Sequence, residues 1–283
     1  MLKLGLVAKL DDERAIRIAR EVINYCISLG IEVFVDERLL SFVGRGFRGF
    51  RLGSTSVDYI VVVGGDGTVL TTLQGLGDGV VPLITIKSGK RGFLCDVSPE
   101  GFKEAFSKLV RGDFVVREYM RLESYLGGVK LPYALNEYVL TTSGLFRSKV
   151  AHFKVFKSCL GSPELIYEVL SDGVIVSTTT GSTAYNLSVG GPLVDPDLDA
   201  FILTPLAPLS LGVRPLVLSP TSEVVVEVVK ESYDVDVIAD GNYVGKVKAG
   251  DSLAFRRASV PAKFVRFSKC GFDRLFQRLM YEL

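Results

Sequence analysis

The chain of 283 residues has a net charge of +1 and is 48% hydrophobic, which is length enough for one large or two modest cores and gives no global electrostatic pull toward nucleic acid or membrane. Its longest apolar run, residues 57–63, falls far short of the roughly 20 residues a membrane helix needs, and Met1-Leu2-Lys3-Leu4 leads straight into a strand-like run instead of a signal peptide, so a soluble, cytoplasmic protein is expected. The four cysteines are scattered without a C-x-x-C pair and His152 is the single histidine, which argues against a zinc site, a disulfide framework or a Ser-His-Asp mechanism and leaves a carboxylate as the expected general base.

In chain order, residues 3–8 read as a strand, and Asp11-Asp12-Glu13 opens a helix with its acids at the positive end of the dipole. Ala15, Ile18, Ala19, Val22, Ile23 and Cys26 follow helical spacing before Gly30. Residues 31–35 and 58–63 predict two more strands, the latter β-branched and continuously apolar as in a parallel sheet covered on both faces. A helix from about Val69, a strand over residues 81–86 and a helix over residues 99–110 complete an open α/β domain with a parallel sheet, set at residues 1–112. Short runs separated by Gly, Ser and Asp then dominate, including Tyr133-Ala134-Leu135 and Glu137-Tyr138-Val139-Leu140, and predict a β-rich antiparallel domain over residues 113–262. Phe272, Leu275, Phe276, Leu279 and Met280 predict a final helix, within residues 263–283, that returns to the first domain.

Two blocks carry chemistry. Gly64-Gly65-Asp66-Gly67-Thr68 stands where a parallel strand ends and a helix begins, the ligand edge of an open α/β sheet. Its glycines let backbone approach a ligand, successive N–H groups can hold phosphate oxygens, and Asp66 would stand beside them to accept a hydroxyl proton or help hold Mg²⁺. Gly64, Gly65 and Thr68 are therefore candidates for the phosphate donor. The basic clusters Arg45, Arg48, Arg51 and Lys87, Lys90, Arg91 are either solvated loops or holders of a polyanionic tail; the second cluster joins the donor candidates. The other block, Thr180-Gly181-Ser182-Thr183-Ala184-Tyr185, is a small-residue surface with one aromatic ring, suited to a flat nucleobase and also a capped helix start.

The ordered series G-G-D-G-T, Gly89 with Gly92-Phe93-Leu94, Asn136-Glu137, residues 172–188, Gly190-Gly191-Pro192, Leu203-Thr204-Pro205 and Arg214-Pro215-Leu216-Val217 resembles the NAD kinase family over about residues 58–217. The resemblance implies a kinase that phosphorylates the 2′-hydroxyl of the adenosine ribose of NAD, using Mg²⁺ with ATP, another triphosphate or polyphosphate, in a cleft between the domains. It implies that Asp66 is the catalytic aspartate and that Gly67 touches the dinucleotide's diphosphate. Asn136 and Glu137 would bind the adenosine half, and Thr183, Ala184 and Tyr185 would surround the adenine with Asn186 and Ser188 close by. Asp172 would hold the nicotinamide end, Ala207 and Asn242 would line the pocket, and Arg147 would contribute from the segment after the N-E strand. No metal ligand from the protein is implied, and a homodimer or homotetramer is. Departures from the family pattern fall at Lys87, at Thr71 or Thr72 where a basic residue is common, at Thr179 in place of Pro, and at Asn242 in Asp240-Gly241-Asn242. His152 is expected to be structural. Two alternatives share part of the pattern: a lipid kinase of the diacylglycerol kinase type, which has G-G-D-G-T, and a catalytically silent dinucleotide sensor.

Overall fold

The structure is a computed structural model that describes residues 1–44, 46–89, 92–142, 149–159 and 162–267. It divides into two compact units: Met1–Tyr119 with the described residues from Val260 onward, and Met120–Ser259.

In the first unit the chain runs β1 (Lys3–Ala8), α1 (Glu13–Ser28), β2 (Glu32–Asp36), α2 (Leu40–Val43), β3 (Arg48–Phe50), β4 (Tyr59–Gly64), α3 (Asp66–Leu76), β5 (Leu83–Lys87), α4 (Phe102–Arg111) and β6 (Val115–Tyr119). Five strands lie parallel in the order β3-β2-β1-β4-β5. Ala262–Arg266 then enters between β5 and β6, parallel to the first and antiparallel to the second. Ile60, Val61, Val62 and Val63 are all buried, so both faces of the sheet are covered, as their unbroken apolar run predicts. The chain thus returns to the first unit as a strand; the predicted final helix lies outside the described residues.

Local chemistry sets the helix boundaries. Asp12 is the N-cap of α1, its Oδ1 accepting from Arg14 N at 2.9 Å and Ala15 N at 3.2 Å. Helix α3 begins at Asp66, three residues before the predicted start, because Gly65 serves as its cap and the phosphate-type loop is itself the first turn. Strand β3 was not predicted from its Gly-rich sequence. It pairs with β2, and Arg48 bonds Glu32 at 2.9 Å while Arg51 bonds Glu37 at 2.6 Å. The described members of that basic cluster are therefore ion-paired along an edge strand, and Arg45 lies outside the described residues.

The second unit holds β7 (Leu122–Leu126), β8 (Val129–Lys130), β9 (Glu137–Thr142), β10 (Ala151–Cys159), β11 (Ser162–Ser171), β12 (Gly173–Thr178), α5 (Tyr185–Ser188), β13 (Phe201–Leu206), β14 (Leu216–Leu218), β15 (Glu223–Val228), β16 (Val235–Ala239), β17 (Asn242–Val247) and β18 (Ser252–Arg257). They form two antiparallel six-stranded sheets, β11-β10-β15-β18-β7-β8 and β14-β13-β12-β9-β16-β17. Both contribute to one core: Phe153, Val155 and Phe255 from the first meet Tyr138, Val174 and Phe201 from the second. Tyr133-Ala134-Leu135 is not the predicted strand; Ala134 makes a single bridge to Leu122. The backbone bends there because three consecutive N–H groups, from Leu135 to Glu137, turn onto the Asp240 carboxylate.

Candidate functional site

In the first unit the sheet order places β1 and β4 side by side, with β2 and β3 to one side and β5 to the other. That is a topological switch point, where open α/β sheets bind ligands beyond their carboxyl ends. The G-G-D-G-T loop lies there. A Cβ on Gly64 would come within 2.4 Å of Thr68 Oγ1, so close packing of the turn requires glycine. Asp66 is half-buried, and both of its oxygens accept backbone N–H groups: Oδ2 from Phe93 at 2.8 Å and Oδ1 from Leu94 at 3.0 Å. A Cβ on Gly92 would sit 3.1 Å from Asp66 Oδ1. The G-F-L turn and the glycine loop, separate in sequence, are thus one constellation that fixes a single carboxylate. Each oxygen keeps a further lone pair for an incoming hydroxyl.

A cavity of about 530 Å³ opens at this edge, lined by Gly65, Gly67 and Thr68 together with Lys9, Asp12, Asp36, Arg38 and Ser88. Ser88 Oγ donates to Asp12 Oδ2 at 2.7 Å, and this bond is the main cause that holds the Asp12 carboxyl below its ordinary range. Asp36 is buried and accepts from Arg38 N and Nε at 2.9 Å and from Nη2 at 2.8 Å; its hydrogen bond raises the guanidinium pKa. Asp12 was read from the sequence only as part of a helix start, and Ser88, Asp36 and Arg38 were not singled out. The available signal was their place at or just past the ends of β1, β2 and β5. Thr71 and Thr72 bond back to the carbonyls of Gly67 and Thr68, at 2.9 and 2.7 Å. Lys87 is the last residue of β5, its N–H bonded to Val97 O at 3.0 Å. Lys90 and Arg91 lie outside the described residues.

In the second unit, Ala239 pairs with Asn242 across the two-residue turn Asp240-Gly241. Both turn residues have positive φ, 47° and 82°, the Asp-Gly chemistry of a type I′ hairpin. The turn carries Asp240 inward: Oδ2 accepts from Leu135 N at 2.7 Å, and Oδ1 from Asn136 N at 2.8 Å and Glu137 N at 3.1 Å. Burial nevertheless pushes the Asp240 carboxyl up to about 6, against those three donors. The Asn136 carbonyl accepts from Thr178 N at 2.8 Å and Ser177 Oγ at 3.1 Å, and a Cβ on Gly181 would come within 2.3 Å of it. The N-E pair and the small-residue block are therefore packed as one body.

Glu137 is buried beside a pocket of about 710 Å³ that Asp172, Tyr185 and Ala207 also line, with Val139, Leu206 and Ile238 as its apolar wall. Burial first, then the Asp240 charge, pushes the Glu137 carboxyl up to about 8, while the Tyr185 N–H bonded to it opposes the shift. Its Oε2 is buried with no hydrogen-bond partner among the described residues. Ala207 has φ 43°, a left-handed backbone that alanine rarely adopts. Thr183 and Ala184 are half-buried between the 3₁₀ turn Thr180–Thr183 and α5, and Ser188 and Asn242 are exposed. Asn186 is fully buried, and its amide is taken up by Ser182 O at 2.9 Å, Pro192 O at 3.1 Å and Thr204 Oγ1 at 2.7 Å. It shapes the block from inside. His152 bonds Glu168 at 3.1 Å on the surface of β10 and lies in neither pocket. Arg147 lies outside the described residues.

Comparison with known proteins bears on both regions. Residues 50–114 match the ATP-NAD kinase N-terminal domain and residues 136–267 the ATP-NAD kinase C-terminal domain. An NAD kinase of Methanothermobacter thermautotrophicus is 33% identical over 281 residues, covering 99% of this chain and 97% of the relative. The crystal structure of an NAD kinase from Archaeoglobus fulgidus in complex with ATP superposes with a TM-score of 0.78 at 28% identity, over 98% of both chains. A yeast NADH kinase complexed with NADH shares the fold, with a TM-score of 0.86 at 21% identity over 99% of this chain and 88% of that one.

Proposed function

The chain belongs to the ATP-NAD kinase family and is a phosphotransferase with an alcohol group as acceptor, and from that premise we propose that it transfers the γ-phosphoryl of a nucleoside triphosphate to the 2′-hydroxyl of the adenosine ribose of NAD. The observation that carries this reading is the fixed carboxylate of Asp66 in the glycine loop. Held by two backbone N–H groups, it cannot rotate away from a hydroxyl brought to it. It orients that hydroxyl and accepts its proton as the O2′–P bond forms and the bond from the γ-phosphorus to the β–γ bridging oxygen breaks. The N–H groups at the start of α3, where no side chain caps the helix, face the developing phosphate charge. Mg²⁺ enters as part of the Mg-triphosphate substrate and offsets that charge.

The pocket of the second unit supplies acceptor binding. Tyr185 and Ala184 give adenine an apolar surface, and Thr183 can hydrogen-bond its edge. With its carboxyl pushed up to about 8, Glu137 is largely protonated at neutral pH. Its unpartnered Oε2 can then donate to an acceptor on the adenosine half. Asp172 reaches the nicotinamide end from the edge of the same pocket. The lipid-kinase alternative rested on G-G-D-G-T alone, and the match over residues 136–267 leaves it without support.

The test is Asp66→Asn, which keeps the size of the side chain and removes the base. NAD affinity should stay within about threefold while kcat falls by about 10² to 10⁴. Normal turnover in that variant would remove Asp66 from the chemistry. Tight NAD binding by the unaltered protein, with no phosphoryl transfer from any donor, would favour the sensor.

A further inference from the structure

The strand that returns to the first unit, Ala262–Arg266, reaches the turn that fixes Asp66. Phe264 pairs with Leu83 in the parallel ladder, so two residues further along both strands Thr85 and Arg266 stand side by side on the same face. Both donate to one atom. Thr85 Oγ1 bonds Leu94 O at 3.0 Å and Arg266 Nη1 bonds it at 3.3 Å, which takes up both lone pairs of that carbonyl. Arg266 is 6% exposed, a burial that arginine tolerates only when it is paired. Its Nε donates to Tyr119 Oη at 3.2 Å. Its guanidinium carbon lies 4.6 Å from the Phe264 ring centroid and 5.4 Å from that of Tyr119. The rings and the hydroxyl therefore aim the guanidinium in one direction. The next residue adds a second tie, since Phe267 N donates to Asp96 Oδ2 at 3.2 Å and Asp96 N donates to Thr85 Oγ1 at 3.1 Å. Leu94 is thus bound from behind by a residue 172 positions away. On its other side the Leu94 N–H holds Asp66 Oδ1 at 3.0 Å.

We propose that Arg266 is a positioning residue for Asp66: it holds the Leu94 carbonyl and, through Leu94, one of the two N–H groups that fix the carboxylate. The assignment rests on the kinase reading for what Asp66 does, but not for the geometry that holds it. It gives the returning strand a task beyond closing the sheet. Without the guanidinium, Leu94 keeps the Thr85 bond alone and its N–H is free to shift. A displacement of about 1 Å at a reacting group can cost about 10² in rate while leaving substrate binding intact.

Arg266→Met, Arg266→Lys, Thr85→Val and Val265→Ala are compared with the unaltered protein. The measurements are kcat, KM for ATP and for NAD, Tm, and hydrogen exchange at the Phe93 and Leu94 amides by NMR. Val265 is the control, because it packs into the core from the opposite face of the same strand. Arg266→Met should lower kcat by about 10- to 100-fold with both KM values within about threefold. It should also speed exchange at Leu94 by about tenfold or more. Arg266→Lys should recover part of the kcat, since lysine keeps the charge without the fork. Thr85→Val should move kcat and exchange in the same direction by a smaller factor. Val265→Ala should lower Tm and leave kcat within about twofold. Unchanged kcat and unchanged Leu94 exchange in a folded Arg266→Met would overturn the proposal. So would an equal loss of kcat in Val265→Ala, which would reduce Arg266 to packing, or a rise in KM at full kcat, which would place it in binding. Should Arg266→Met fail to fold, Arg266→Lys and Thr85→Val decide on the same readings. Unaltered protein that makes no NADP would sink the kinase reading; faster Leu94 exchange in Arg266→Met would still support the brace, and unchanged exchange would still overturn it.

Discussion

The two pockets handle acidity in opposite ways. In the first unit the Asp66 carboxylate is half-buried and held by one backbone donor on each oxygen, at 2.8 and 3.0 Å. In the second unit Glu137 is buried with one oxygen unpartnered, and its neighbour Asp240 adds a further repulsive charge. The first arrangement fixes direction and keeps an acceptor ready. The second raises the carboxyl's proton affinity and turns an acid into a donor. The same carboxyl group is thus tuned in opposite directions by its surroundings, one arrangement suiting the proposed transfer step and the other the proposed recognition.

The glycines give the largest expected contrast. A Cβ on Gly181 would collide with the Asn136 carbonyl and with Ser177 Oγ, both at 2.3 Å, whereas nothing lies within 4 Å of a Cβ on Gly67. Gly181→Ala should cost about 3 kcal/mol or more, seen as a large fall in Tm. Gly67→Ala, inside α3, should be neutral or stabilising by up to about 1 kcal/mol while weakening ligand binding, because the cavity needs that space. Equal loss of stability in the two variants would break the contrast.

The pH dependence sharpens it. An acid whose folded pKa is raised binds more protons folded than unfolded, so stability falls as pH rises from the unfolded to the folded value. For Glu137 that window runs from 4.5 to about 8, and for Asp240 from 3.8 to about 6. Glu137→Gln should therefore match the unaltered protein near pH 4.5 and gain on it progressively up to pH 8, by on the order of 4 kcal/mol. Denaturant titrations at several pH values read this directly, and a gain that shrinks with rising pH would contradict the assignment. The smallest effect is expected at Ser88→Ala. Losing the 2.7 Å bond to Asp12 should cost about 1 kcal/mol and lift the Asp12 pKa, followed by carboxyl NMR; an unmoved Asp12 would show that the bond does not form in solution.

Much of this was legible in the sequence because it is local. The apolar run before Gly64, the Asp12 cap and the Asp-Gly turn each announce themselves within a few residues. The G-F-L turn and the N-E pair could be placed as motifs. Their partners could not: Asp66 meets residues 27 and 28 positions away, and Asp240 meets residues 103 to 105 positions away. The Tyr133-Ala134-Leu135 segment before Asn136 reads as a strand by composition, and only the distant carboxylate explains why it bends. Arg38 was passed over for a similar reason, since nothing local distinguishes Asp36-Glu37-Arg38 from a solvated turn until β1 and β4 place it on the cavity wall.

The central claim is phosphoryl transfer to NAD, and the most direct measurement follows the product. Purified protein is incubated with Mg²⁺, NAD and ATP, with polyphosphate in a parallel reaction, and the products are resolved by phosphorus NMR and by an NADP-specific dehydrogenase. A new 2′-phosphomonoester on the adenosine ribose, formed in step with donor consumption, is the predicted result. Phosphate released without that ester, or an ester at any other hydroxyl, would contradict it.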